Sequence, residues 1–190
     1  MVALAPGREC GTCNACCVFP LIDSPEISKA SGAVCCHSKA AGCDIYETRP
    51  GLCSRFFCGW RRNDKIPADW RPDRSGIFIT FGTEGVPPQF GGASALTLML
   101  VDNPLKTVRQ TDFLNFVANC VAGRVPVFLA LPGPKGMQAA SLLLNEPQME
   151  AAVKQNRGAV RLLLEQALKR FATHTYVPYA MAYESADVSS

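Results

Sequence analysis

The sequence predicts an α+β fold: a cysteine-rich N-terminal module followed by a mainly antiparallel four-stranded sheet with two packed helices. Nine of the ten cysteines lie between Cys10 and Cys58, whereas short apolar runs alternate with amphipathic stretches from Gly76 onward. At 190 residues and 48% hydrophobic composition, the chain is long enough for a buried core and too apolar for a disordered protein. We expect three segments, of which the last packs with the first as one unit: the module over 1–60, a basic connector over 61–75 and an α+β portion over 76–190.

The opening cysteines have the spacing of a metal site. Cys10, Cys13 and Cys16 repeat a C-x2-C step, and Cys17 follows directly. Such a step lets two thiolates converge on one ion at about 2.3 Å. Because adjacent side chains diverge, we expect Cys16 and Cys17 to serve different metals or different edges of one cluster. The sequence therefore predicts a metal-organised module.

Composition limits the cellular setting. The start, MVALAPGR, lacks the basic and then apolar segments of a secretory signal, so we expect a cytoplasmic protein. A disulfide framework, the alternative interpretation of dense cysteines, suits secreted chains and is disfavoured for that reason. No apolar run reaches the roughly 18 residues of a membrane helix, so no membrane partner is expected. A net charge of +3 is too small to indicate nucleic acid, and a protein partner is left open.

Three motifs connect the module into one pattern: the CxxCxxCC opening, the run GCDIYETRPGLC and the closing RFFCGW. In these motifs residues 10–60, about a third of the chain, resemble the CxxCxxCC family of zinc- or iron-chelating proteins. That family is described by its cysteines rather than by a reaction. Some members are associated with N-methylation of flagellin lysines.

The resemblance implies eight cysteine ligands and two sites holding zinc, iron or an iron–sulfur cluster. The family has one cysteine where this chain has Cys35 and Cys36. A family histidine two positions later matches His37 and favours Cys35, with Cys36 as its substitute. Carried over by position, the ligands are Cys10, Cys13, Cys16, Cys17, Cys35, Cys43, Cys53 and Cys58.

Two arginines are expected near the sulfur ligands. Arg49 and Arg55 can offset the negative charge of thiolates and donate hydrogen bonds to them. The alternative is that both pair with the nearby carboxylates of Asp44 and Glu47. The sequence does not separate these two arrangements.

Aromatic residues accompany the same motifs. Tyr46, Phe56 and Trp60 are expected to form a hydrophobic wall around the metal rather than a stacking surface for a base or substrate. In the connector, Trp70 is expected to anchor the chain on the core. Six basic residues and three aspartates lie between Arg55 and Arg74. They predict a solvated loop with locally paired charges, or alternatively a surface for phosphate or an acidic partner.

Elements of the last segment follow from periodicity. Short apolar runs predict four strands. Asn103 before Pro104 predicts a helix start, and apolar residues from Phe113 to Val121 predict an amphipathic helix that ends at Gly123. A second helix is predicted from Glu146 to about Phe171. The predicted strands are 77–81, 95–101, 125–131 and about 140–144, with a turn over 132–136 and a frayed tail over 183–190.

The last segment shows no catalytic motif. Cys120 lies on the apolar stripe of the first predicted helix and is expected to be a buried core thiol rather than a ligand. No glycine-rich nucleotide loop occurs. The sequence therefore predicts a metal-binding protein and leaves open whether it is an enzyme. The alternatives are a protein-modifying enzyme related to flagellin lysine N-methylation and a module that binds RNA or an acidic partner.

Overall fold

The computed structural model describes residues 3–182, and the chain divides into two units. The first unit comprises Met1–Ser75, Pro132–Ala139 and Tyr176–Ser190, and the second comprises Gly76–Leu131 and Ala140–Thr175. The tail predicted over 183–190 lies outside the described residues. Within the described part of the chain, no helix is both long and apolar enough to cross a membrane.

Short elements build the first unit. Its helices have four or five residues, too few to be stable alone, so contacts with other parts of the unit must hold them. Each pair of strands forms an antiparallel ladder two residues long. In chain order the elements are α1 (Ala15–Val18), β1 (Ile22–Asp23), β2 (Ser28–Lys29), β3 (Ser38–Lys39), β4 (Gly42–Cys43), a 3-10 helix (Tyr46–Thr48), α2 (Gly51–Arg55), α3 (Gly59–Arg62) and α4 (Pro72–Ser75).

Three large apolar side chains between residues 60 and 70 are buried in this unit. Trp60, Ile66 and Trp70 are 6%, 1% and 4% exposed, although most of their neighbours are polar. The indole Nε1 of Trp60 donates to the carbonyl of Ala68 at 2.9 Å. The expectation that Trp70 anchors residues 61–75 is confirmed by its burial.

The predicted turn over 132–136 belongs to the first unit rather than to the sheet. The hydroxyl of Ser31 donates to the Met137 carbonyl at 2.6 Å, and the Gly136 amide donates to the Ser31 carbonyl at 2.9 Å. Met137 also forms an isolated antiparallel bridge with Pro178. The bonds of Ser31 attach this turn to the cysteine-rich part, and the bridge joins the stretch around Pro178 to the turn.

A four-stranded sheet forms the centre of the second unit, in the order β5-β6-β7-β8. Strand β5 pairs antiparallel with β6, and β7 pairs antiparallel with β8, but β6 and β7 run parallel. The prediction of a mainly antiparallel four-stranded sheet is therefore wrong, because the sheet is mixed. The strands are β5 (Ile77–Gly82), β6 (Ala95–Leu100), β7 (Val127–Leu131) and β8 (Ala140–Leu143).

The connection between β6 and β7 explains the parallel pair. It contains α5 (Pro104–Thr107) and α6 (Thr111–Ala122). Adjacent parallel strands need such a crossover, because the chain must return to the end at which the first strand began. Strand-like patterns alone do not specify direction, whereas the helical connection does.

Helix α6 follows its predicted pattern. Phe113, Val117, Cys120 and Val121 are buried, and Gly123 caps the C-terminus. At the start of α5, the side chain of Asn103 accepts from the Lys106 amide, as its position before a proline predicts. The predicted helix start at Asn103 and the predicted helix end at Gly123 are confirmed.

The single long helix predicted from Glu146 to Phe171 is wrong. The chain forms α7 (Pro147–Gln155) and α8 (Arg157–Phe171), separated by Asn156 in an extended conformation. The Asn156 side chain accepts from the Ala159 amide at 2.9 Å and caps α8. Apolar spacing continues across the break, which hides it from a periodicity argument. The unit therefore packs three main helices rather than two.

Candidate functional site

The opening cysteines lie on a tight turn followed by one helical turn. The Cys13 amide donates to the Cys10 carbonyl at 2.9 Å, and the Cys17 amide donates to Asn14 at 2.8 Å. Gly11 has a φ of +53°, which suits glycine, and its carbonyl lies 2.9 Å from where a Cβ on Gly42 would stand. The lack of a side chain at Gly42 lets the β3–β4 hairpin approach the opening turn.

The middle cysteines reach the same region through backbone bonds. The Cys35 amide donates to the Cys17 carbonyl at 2.8 Å. Cys43 lies opposite Ser38 in the hairpin, and the Asn14 side chain donates to the Ser38 hydroxyl at 3.3 Å. Cys35 is buried, whereas its neighbour Cys36 is exposed.

Electrostatic interactions join the thiols of this unit into one connected network, in which the strongest partner of Cys16 is Cys17 and the strongest thiol partner of Cys35 is Cys36. Cys58 and Cys16 each interact with Cys10 and Cys13. Cys53 interacts with Cys17 and Cys43, and Cys35 interacts with Cys17. We define the first sulfur set as Cys10, Cys13, Cys16 and Cys58, and the second sulfur set as Cys17, Cys35, Cys43 and Cys53.

The adjacent thiols of Cys16 and Cys17 form the boundary between the sets. Their side chains share a hydrogen bond, which raises the pKa of Cys16 and lowers the pKa of Cys17. Lys29 and Arg49 lower the pKa of Cys17 further by stabilising its thiolate. The pair therefore favours a thiolate at Cys17 and a neutral thiol at Cys16.

Burial is the main influence on four other thiols. It raises the pKa of Cys13, Cys35, Cys53 and Cys58, since a buried thiolate loses hydration. Backbone N–H groups oppose this shift at Cys13, Cys35 and Cys58 by donating hydrogen bonds to the sulfur. A metal at these thiols would have to displace protons.

Lys29, which the sequence analysis did not single out, is a buried cation beside the second sulfur set. Its side-chain nitrogen donates to the carbonyls of Val18, Pro20 and Ala30 at 2.9, 2.7 and 3.1 Å. Three acceptors require three N–H donors, which only the ammonium form has. Burial lowers its pKa to about 8, and the thiols of Cys35 and Cys17 oppose that shift.

Arg49 lies against Tyr46 rather than against a carboxylate. Its Nε donates to the Tyr46 carbonyl at 2.7 Å, and its guanidinium carbon lies 3.7 Å from the centre of the Tyr46 ring. Within residues 3–182 neither Arg49 nor Arg55 forms an ion pair with Asp44 or Glu47. Asp44 instead lies 3.0 Å from His37 Nδ1 and 3.8 Å from the Lys39 ammonium.

The remaining residues expected near the sulfurs differ in exposure. Tyr46 is 40% exposed, Phe56 is half-buried and Trp60 is buried. Arg55 is exposed, with its guanidinium close to Gly51. Trp60 alone of the three predicted wall residues is removed from solvent.

Arg8 is the second residue that the sequence analysis did not single out. Its guanidinium is buried and donates to the carbonyls of Trp60, Asn63, Asp64 and Ile66, at distances of 2.5 to 3.1 Å. The same group lies 5.3 Å from the centre of the Trp60 ring. A single arginine in a stretch without a motif is expected to be a solvated charge, so the sequence does not indicate that Arg8 is buried.

The residues present fit a thiolate-bound metal in donor type and number. Each sulfur set supplies four soft donors, the complement of a tetrahedral zinc site or of a four-iron cluster. Among residues 3–182, however, no three His, Cys, Asp or Glu side chains are arranged so that they could hold one ion. Metal binding would therefore require the sulfurs within each set to draw together.

No family model matches the chain, and no curated protein or solved structure matches it either. The resemblance to the CxxCxxCC family therefore stays a prediction from the residues of the three motifs.

Proposed function

We propose that this protein binds metal ions through two four-cysteine sites, one formed by each sulfur set. The observation that supports it is that eight cysteines from four stretches of the first unit come close enough to interact electrostatically. The proposal agrees with the ligands that the CxxCxxCC resemblance implies.

The chemistry depends on the metal. Zinc in a closed four-thiolate shell has no open coordination position, so zinc sites would serve to hold the first unit together. Iron bound by the same thiolates, with or without inorganic sulfide, would make the sites capable of electron transfer or redox sensing. Both metals need deprotonated thiols, which the cations near Cys17 favour and the burial of Cys13 and Cys58 disfavours.

Elemental analysis tests the proposal directly. The full chain is expressed and purified without oxygen, and zinc, iron and acid-labile sulfide are measured per chain. We expect two zinc ions, or iron with sulfide in one site and a second metal in the other. A colourless protein without iron excludes the cluster version. A chain with neither metal and with its cysteines oxidised in pairs contradicts the proposal.

A further inference from the structure

The first sulfur set joins parts of the chain that are far apart in sequence. Cys10 and Cys13 lie on the opening turn, whereas Cys58 immediately precedes α3, at its N-cap position. Closing such a long loop costs conformational entropy. Something other than the sulfurs must hold these two segments together if the set is to exist before metal binds.

Arg8 supplies that link. It lies two residues before Cys10, and its guanidinium bonds begin at Trp60, two residues after Cys58. Four carbonyl oxygens accept from its Nη1 and Nη2 atoms, two from each. Charge-assisted bonds of this kind are stronger than neutral ones, and burial protects them from water.

A second contact aligns the same two segments. The Ala5 amide donates to the Arg61 carbonyl at 2.9 Å, and the Arg61 guanidinium donates to the Ala5 carbonyl at 3.2 Å. Residues 5–8 therefore run beside residues 60–66 through six hydrogen bonds, none of which involves a sulfur. These two segments lie next to Cys10 and Cys58 of the first sulfur set, and neither contains a cysteine of the second sulfur set.

We propose that Arg8 is a positioning residue for the first sulfur set: it holds Cys58 beside Cys10 and Cys13, and it acts on this site and not on the second. The inference rests on the metal-binding function proposed above. Lysine carries the same charge but cannot present two forked nitrogens to four carbonyls, so Arg8→Lys is the informative substitution.

The test isolates each site in turn. Cys53→Ser leaves only the first site intact, and Cys13→Ser leaves only the second. Arg8→Lys is added to each background in the full chain, and zinc affinity is measured by competition with a chromophoric chelator. Cobalt(II) absorption, which reports thiolate ligation, is recorded on the same proteins.

We expect Arg8→Lys to weaken zinc binding about tenfold or more in the Cys53→Ser background and to change it less than about twofold in the Cys13→Ser background. The cobalt–thiolate band should weaken only in the first case. Equal losses of zinc affinity in both backgrounds would mean that Arg8 supports the fold in general, which overturns the inference. Unchanged zinc affinity in both backgrounds would also overturn it, because Arg8 would then have no effect on the site. If the unsubstituted protein binds two ions and only the Arg8 results disagree, the metal-binding proposal stands. A chain that binds neither zinc nor cobalt would contradict both the metal-binding proposal and the role of Arg8.

Discussion

At the scale of single residues, two buried cations organise the cysteine-rich unit. Arg8 and Lys29 both donate to backbone carbonyls rather than to carboxylates. Carbonyl acceptors leave the formal positive charge in place, so Lys29 can still stabilise the thiolate of Cys17. A carboxylate partner would have cancelled that charge.

Replacing Lys29 with methionine should destabilise the first unit by about 3 kcal/mol, because three carbonyl oxygens would lose their donor in a buried place. Chemical denaturation followed by tryptophan fluorescence measures this, since both tryptophans, Trp60 and Trp70, lie in the first unit. Lys65→Met is the matched control, because Lys65 is exposed, and should change stability by less than about 0.5 kcal/mol. Equal effects of the two substitutions would contradict the role given to Lys29.

The doubled cysteine offers a second test at this scale. Cys35 is buried and interacts with Cys17, whereas Cys36 is exposed. Cys36→Ser should therefore keep two metal ions per chain, and Cys35→Ser should retain one. Elemental analysis of the purified variants decides the matter. Loss of an ion from Cys36→Ser alone would make Cys36 the ligand and Cys35 the spare thiol.

Cys120 should give a pH-dependent term in the stability of the second unit. Burial raises its pKa from 9.0 to about 11, so the folded state favours the neutral thiol. Its contribution, about 2 to 3 kcal/mol at most, is fully present below pH 9 and is lost as the pH rises from about 9 to about 11.

The free energy of unfolding, measured by circular dichroism across that range, should fall less steeply in Cys120→Ala than in the unsubstituted protein. Parallel pH profiles would show that Cys120 titrates normally when folded.

At the scale of elements, one side chain at the break between α7 and α8 caps the second helix. Asn156 caps α8 through its bond to the Ala159 amide. Asn156→Ala should cost about 1 kcal/mol in the free energy of unfolding, since that amide loses its acceptor. Asn119→Ala, at an exposed position inside α6, should be neutral or slightly stabilising. A stable Asn156→Ala variant with increased helix content would mean that the two helices can join.

Sheet direction belongs to the same scale. Each strand of the second unit lies within two residues of its predicted place, but the β6–β7 pair is parallel. Strand patterns record which residues are apolar and say nothing of chain direction. The helical crossover between residues 101 and 126 decides it, so connections need the same attention as strands.

At the scale of the whole molecule, metal should matter to one unit far more than to the other. The described part of the first unit contains the sulfur sets and helices of at most five residues, whereas α6, α7 and α8 lie in the second unit with a core of their own. If the first unit binds metal as proposed, ligation adds folding free energy to that unit and not to the other.

Removal of metal with a strong chelator under reducing conditions should therefore shift tryptophan emission to longer wavelength as Trp60 and Trp70 become exposed. The helical circular dichroism signal should keep most of its amplitude, because it comes mainly from the second unit. Adding back zinc should restore the emission. Unchanged emission after complete removal of metal would show that the first unit folds without it.

The sequence by itself determined the cysteine-rich segment, the four strands, helix α6 and the buried state of Trp70 and Cys120, because periodicity and spacing record local preference and burial. Only the tertiary structure decided the parallel strand pair, the break at Asn156 and the proximity of thiols that lie far apart in the sequence. It also decided that Arg8 and Lys29 are buried. The break at Asn156 follows from a local bond to the Ala159 amide, and the parallel pair follows from the helical crossover. The burial of Arg8 depends on carbonyls of residues 60–66, which have no signature in the sequence around Arg8.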